Sequence, residues 1–221
     1  MTSVLLSLTA VVAASALAVP TAGAAPQTDR TTAVPSGWKA VGPAEVARIA
    51  EESGAQRTPL TSGDGVSATA AEADLLAIKS VRNSKFVATE KNYAAPNTGV
   101  LRARSAAYGG SWEGFALEWD ETTETYALKS LANDRYVAVE KNFTGSAQNV
   151  LRARSTTVGG WERFTLYYSE TLDHWALQSN LNNMFVAMEN SYTGTLQYAL
   201  RARSTDISGS WEEFDFLPLE G

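Results

Sequence analysis

Four short blocks of sequence return three times in the C-terminal two-thirds of this chain, and that repetition constrains the fold more than any other feature. Ala77-Ile78-Lys79-Ser80 recurs as Ala127-Leu128-Lys129-Ser130 and as Ala176-Leu177-Gln178-Ser179. Phe86-Val87-Ala88 recurs as Tyr136-Val137-Ala138 and Phe185-Val186-Ala187. Leu101-Arg102-Ala103-Arg104-Ser105 recurs as Leu151-Arg152-Ala153-Arg154-Ser155 and Leu200-Arg201-Ala202-Arg203-Ser204. Trp112-Glu113-x-Phe115 recurs as Trp161-Glu162-x-Phe164 and Trp211-Glu212-x-Phe214. The copies are displaced by 50 and then 49 residues, except at the Trp block, where the order is 49 and then 50. The only length change therefore lies in the Gly-containing loop ahead of the Trp. Self-similarity of this kind marks duplicated supersecondary units, here residues 74–123, 124–172 and 173–221.

Each repeat holds four short apolar-alternating runs separated by Asn, Gly, Ser and Asp clusters. In the second repeat they are Tyr126–Leu131, Arg135–Val139, Val150–Ser155 and Phe164–Tyr168. Runs of this length and spacing read as strands. A β-propeller needs at least four blades around its axis, and the chain has room for three units. A β-trefoil closes with three. The expectation is an all-β chain forming a twelve-stranded β-trefoil over 74–221, with Ile78, Leu128, Leu177, Leu101, Leu151 and Leu200 in its core.

Residues 1–24 carry no charge, run apolar from Val4 to Val19, and end in Ala22-Gly23-Ala24, a small-x-small cleavage signal. They predict a signal peptide and a secreted, extracellular protein. The apolar run is too short for a comfortable membrane span. Residues 25–73 are rich in Ala, Thr, Ser, Pro and Gly and read as a tether. Within them, Pro43 at a first-turn position, Gly54 past the end, and Val46, Ile49 and Ala50 between predict a short helix over 43–53. There is no cysteine, which excludes disulfides, thiolate metal sites and cysteine nucleophiles. A net charge of −6 opposes phosphate backbones and anionic headgroups, so neither nucleic acid nor membrane is an expected partner.

The pattern F/Y-V-A-x-E … L-R-A-R … W-E-x-F-x-L resembles the repeat of fascin-like β-trefoil domains, over residues 74 to 221. Such domains occur in actin-bundling fascins and also attached to secreted bacterial polysaccharide-degrading enzymes. The resemblance implies the fold and leaves the function open, because trefoils serve lectins, cytokines, inhibitors and actin cross-linkers alike. The Gln-x-Trp of ricin-type lectins is replaced here by Trp-Glu-x-Phe, so their sugar sites do not transfer.

No catalytic constellation stands out. The single histidine, His174, falls in a polar turn and lacks a nucleophile partner. No cofactor or metal site is expected. The glutamates Glu90, Glu140 and Glu189, and Glu113, Glu162 and Glu212, recur by symmetry, whereas a catalytic carboxylate pair needs two different environments. They read as structural partners of the six repeated arginines, whose unpaired alternative would be an anion-binding surface. The repeated Trp and Phe read as core. Tyr93, Phe143 and Tyr192 are different, because each follows the second strand inside a polar loop beside Asn92, Asn142 or Ser191. An aromatic ring next to an amide suits a sugar face and its hydroxyls, and bracing of the turn is the other reading. Trp119 and Trp175, unmatched by Trp in the other repeats, are further candidates. The expected function is a monomeric, non-enzymatic module binding carbohydrate, a polysaccharide or other glycan, through up to three related loop pockets. A protein partner, of the actin-binding or inhibitor kind, is the alternative.

Overall fold

The computed structural model describes residues 34–52, 58–59 and 74–220. The expected signal segment, Gly54 and most of the 25–73 extension lie outside them. Twelve strands carry the three repeats. The first repeat supplies β3 (Asp74–Ser80), β4 (Lys85–Glu90), β5 (Val100–Ser105) and β6 (Gly114–Asp120). The second supplies β7 (Thr125–Ser130), β8 (Arg135–Val139), β9 (Leu151–Ser155) and β10 (Phe164–Ser169), and the third β11 (His174–Ser179), β12 (Met184–Met188), β13 (Leu200–Ser204) and β14 (Phe214–Glu220). In the second repeat each strand boundary lies within one residue of the run read from sequence.

The first and fourth strands of the repeats close a six-stranded barrel. β3 pairs with β6, β6 with β7, β7 with β10, β10 with β11, β11 with β14, and β14 returns to β3. The junctions between repeats share one register: Phe115 faces Ser130, Phe164 faces Ser179, and Phe214 faces Ser80. The second and third strands form three hairpins at one end of the barrel, each with a bulge at its first aromatic, between Phe86 and Val87, Tyr136 and Val137, or Phe185 and Val186. This arrangement is a β-trefoil. All six leucine and isoleucine positions expected in the core are buried, together with Phe115, Phe164 and Phe214.

Local chemistry explains the threefold likeness. The turn into each hairpin places Ser84, Asp134 or Asn183 at positive φ, a conformation that Asn and Asp tolerate better than most residues. The preceding Asn83, Asn133 and Asn182 each donate their side-chain amide to the carbonyl of Ala103, Ala153 or Ala202, at 2.9 Å in every copy. The hairpins also lean on one another in a cycle, with Ala103 N–H donating to Tyr198 O, Ala153 N–H to Gly99 O and Ala202 N–H to Asn149 O. All three acceptors sit at positive φ, and at Gly99 the hairpins approach most closely, since a Cβ built there would lie 2.3 Å from the Ala153 carbonyl oxygen.

The extension is part of the globule where it is described. β1 (Lys39–Ala40) pairs with β10, α1 spans Pro43–Glu52, and β2 (Thr58–Pro59) runs parallel to the end of β14. α1 forms where proline fixes a first-turn φ and the apolar residues fall at helical spacing. Val46 and Ile49 are buried and join the core cluster that holds Leu76, Leu117, Tyr126 and Tyr168, near the strand ends opposite the hairpins.

Candidate functional site

The register of each hairpin places one glutamate and two arginines on a single face. Ala88 lies opposite Arg102, so Glu90, two residues on, shares the face of Arg102 and Arg104. Glu90 accepts from both arginines. Glu140 accepts from Arg154 and pairs with Arg152 at 2.9 Å, and Glu189 accepts from Arg201 and pairs with Arg203 at 2.6 Å. These glutamates are buried, and two guanidinium partners offset the cost of desolvating the carboxylate. The reading of the repeated glutamates as arginine partners therefore holds for three of the six. Glu113, Glu162 and Glu212 bind elsewhere. Glu113 accepts from Ser105 Oγ at 2.6 Å and Gly109 N–H at 3.2 Å, and Glu162 from Gly159 N–H at 2.8 Å. Glu212 faces the Ser208 amide, and burial pushes its carboxyl above the ordinary range. Six arginines are thus held by three carboxylates rather than matched one to one.

The loop aromatics lie directly against those arginines. The Arg102 guanidinium sits 5.7 Å from the Tyr93 ring centroid and donates to its hydroxyl. Arg201 repeats both contacts with Tyr192, and Arg152 lies 5.5 Å from the Phe143 ring. All three rings are half-buried, and Phe143 also packs against Val100, Val150 and Ala199. Each ring therefore braces its turn and still shows part of its surface, while Asn92 and Asn142 are exposed beside it. The same arginines reach across repeats: Arg102 donates to Gln197 O, Arg152 to Pro96 O and Arg201 to Gln148 O. The three loops consequently form one connected surface at the hairpin end of the barrel.

Two further candidates lie elsewhere. Trp175 is 6% exposed and stacks on Phe216 at 5.1 Å and against Tyr168 at 4.9 Å, so it is a core residue and offers no open ring. Trp119 is half-buried against Tyr126 at 4.7 Å and packs on the same core cluster. Neither joins the hairpin loops. The expected core role of the repeated Trp also needs correction. Trp112, Trp161 and Trp211 are only half-buried, because each precedes its strand and sits in the turn, while the following Glu takes the inward place. Cations cover them instead: Lys91 lies 5.4 Å from Trp112, Lys141 and Arg154 lie 5.9 and 5.3 Å from Trp161, and Arg82 lies 4.7 Å from Trp211. Sequence reading missed these contacts, although the Gly-Gly before Trp161 marks a turn rather than a strand.

His174 opens β11 instead of standing in a turn. Its Nδ1 lies 3.1 Å from Glu213 and its Nε2 3.9 Å from Asp215, whose carboxyl burial pushes upward. Among the described residues no cluster of three or more His, Asp or Glu is arranged to hold a metal ion, and no helix is long and apolar enough to cross a membrane.

Neither a protein-family model nor a curated relative matches the sequence. Solved structures do. A designed threefold-symmetric protein, ThreeFoil, is similar over 66% of this chain and 99% of its own, with a TM-score of 0.53 at 16% identity. A GlcNAcα1-4Gal-releasing endo-β-galactosidase from Clostridium perfringens is similar over 66% of this chain, with a TM-score of 0.52 at 10% identity. A Polyporus squamosus lectin, bound to the epitope Neu5Acα2-6Galβ1-4GlcNAc, is similar over 65%, with a TM-score of 0.50 at 14% identity. The likeness is one of fold. The matched region spans 33% of the endo-β-galactosidase and 48% of the lectin.

Proposed function

We propose that this chain is a secreted, non-enzymatic glycan-binding module that works through the hairpin-loop surface of its three repeats. One observation carries the reading: the same aromatic-on-arginine loop occurs three times on one rigid end of the barrel, as Tyr93 with Arg102, Phe143 with Arg152, and Tyr192 with Arg201. Half-open rings beside exposed Asn92 and Asn142 offer apolar faces and amide groups together, the combination that a pyranose presents in complement. Three weak sites on one body gain avidity on a polymer without any tight individual site. Trefoil neighbours that include a lectin with a bound trisaccharide support the same reading.

The test is retention of the purified protein on a panel of insoluble polysaccharides. Tyr93→Ala or Tyr192→Ala alone is expected to weaken retention partly, because two related loops remain, and the triple variant with Phe143→Ala to abolish it. Circular dichroism checks that each variant keeps its β-sheet. A folded triple variant that binds as well as the parent removes this surface from consideration.

A further inference from the structure

Around Trp161 the carboxylates are buried and the cations are not. Glu140 and Glu162 are 4% and 5% exposed; Glu140 pairs with Arg152 and accepts from Arg154, and Glu162 accepts from the Gly159 amide. Lys141 is exposed and Arg154 keeps 31% of its side chain in solvent, while both approach the same indole. Arg154 reaches Glu140 through Nε, and among the described residues neither of its Nη groups has a protein acceptor. A guanidinium fixed along one edge presents its remaining N–H groups in the geometry that a carboxylate or sulfate accepts. Lys141 and Arg154 both lie against this one indole, 5.9 and 5.3 Å from its ring, and cation–π attraction holds them there.

We infer that Lys141, Trp161 and Arg154 form a binding site for the carboxylate or sulfate group of an acidic polysaccharide. This rests on the glycan-binding reading and adds to it the ligand class and a site beside the Phe143 loop. Each of the other two indoles has one cation against it, Lys91 on Trp112 and, from the first repeat, Arg82 on Trp211, so a polymer with well-separated anionic groups meets further cations around the barrel. A nucleic acid fits less well. Its phosphates are closely spaced, and a chain of net charge −6 repels so dense a polyanion outside these isolated clusters.

The experiment compares retention of the full chain on two acidic polymers and their neutral counterparts: polygalacturonate with its methyl ester, and dextran sulfate with dextran. At least one acidic polymer is expected to be held about tenfold more strongly than its neutral form, and that excess to fall about tenfold as salt rises from about 0.05 to about 0.5 M. Lys141→Gln is expected to weaken this retention about threefold with the melting temperature unchanged, because Lys141 is exposed and outside the Glu140 clamp. The double variant with Arg154→Gln should remove most of the excess. Equal retention on acidic and neutral forms, or a folded Lys141→Gln protein that binds like the parent, overturns the acidic site and leaves the glycan reading in place. Retention on none of these polymers, nor on the neutral panel, removes both. Stronger retention on a single-stranded DNA oligonucleotide than on either acidic polymer also overturns the inference.

Discussion

Phe164 and Trp161 stand three residues apart in one repeated block, and the structure assigns them opposite energetic weights. Phe164 is fully buried at the register point where β10 meets both β7 and β11. Phe164→Ala should cost about 3–5 kcal/mol, transfer and cavity terms combined, because the barrel strands around it are hydrogen-bonded on both sides and collapse poorly. For a chain of this size that is a fall of about 6–20 °C in melting temperature. Trp161 is half-buried. Removing it exposes roughly 100 Å² of apolar contact, worth about 2.5 kcal/mol as an upper bound. Its two cations lose little, since both are already hydrated in part. Trp161→Ala should therefore cost about 1–2.5 kcal/mol, and the Phe164 variant should melt lower, with about twice the shift at the centres of the two ranges. Calorimetric melting of the two proteins side by side measures this directly. A Trp161 variant as unstable as the Phe164 variant would refute the placement of the indole in the turn.

Glu140→Ala leaves Arg152 and Arg154 without their buried carboxylate and should cost about 3 kcal/mol, the lower end for a broken buried pair because both arginines reach water. Glu140→Gln should cost less, and equal chemical-denaturation midpoints for parent and Ala variant would dismiss the clamp. Alkaline stability is set in part by Tyr136 and Tyr168. Burial pushes both phenols from the ordinary 10.0 up to about 12, helped by hydrogen bonds to Glu118 and Asp173. The fold thus favours the protonated phenols, so their contribution is complete below pH 10 and is lost as pH rises through about 12. Tyrosinate absorbance from these two should appear only as the β-sheet signal decays, and their ionisation near pH 10 in an intact sheet would contradict it.

The repeat blocks gave away the barrel because strand alternation and turn chemistry recur in register, so three imperfect copies corroborate one another. Loop contacts were harder to read. Arg102 lies nine residues after Tyr93, on the far side of the loop that joins β4 to β5, and nothing in the local pattern announces that the two will touch. The Trp positions misled for a related reason. Trp-Glu-x-Phe looks like the start of an apolar strand, yet the strand begins only at the Phe or the residue before it, and the Glu folds inward to collect loop amides. Trp175 was misread because its lack of a Trp counterpart suggested a special role. It packs in the core beside Phe216 and Tyr168, where the other copies carry Tyr126 and Leu76 in its place.

The shared register at the three junctions means that the ring has no natural first repeat. Phe214 meets Ser80 across the chain ends as Phe115 meets Ser130 and Phe164 meets Ser179 within the chain. The break between Pro218 and Leu76, which lie opposite each other, is one of three equivalent seams. A circular permutant that joins residue 220 to residue 74 and opens at the turn between Asp120 and Thr125 would rebuild the same barrel. The extension sets the fourth strands apart, since Lys39 and Ala40 pair with β10, Thr58 and Pro59 run along β14, and no described residue of it pairs with β6. The added strands and helix thereby break the threefold likeness of the body, and a partner reaching the β10 or β14 side meets described backbone that the β6 side lacks.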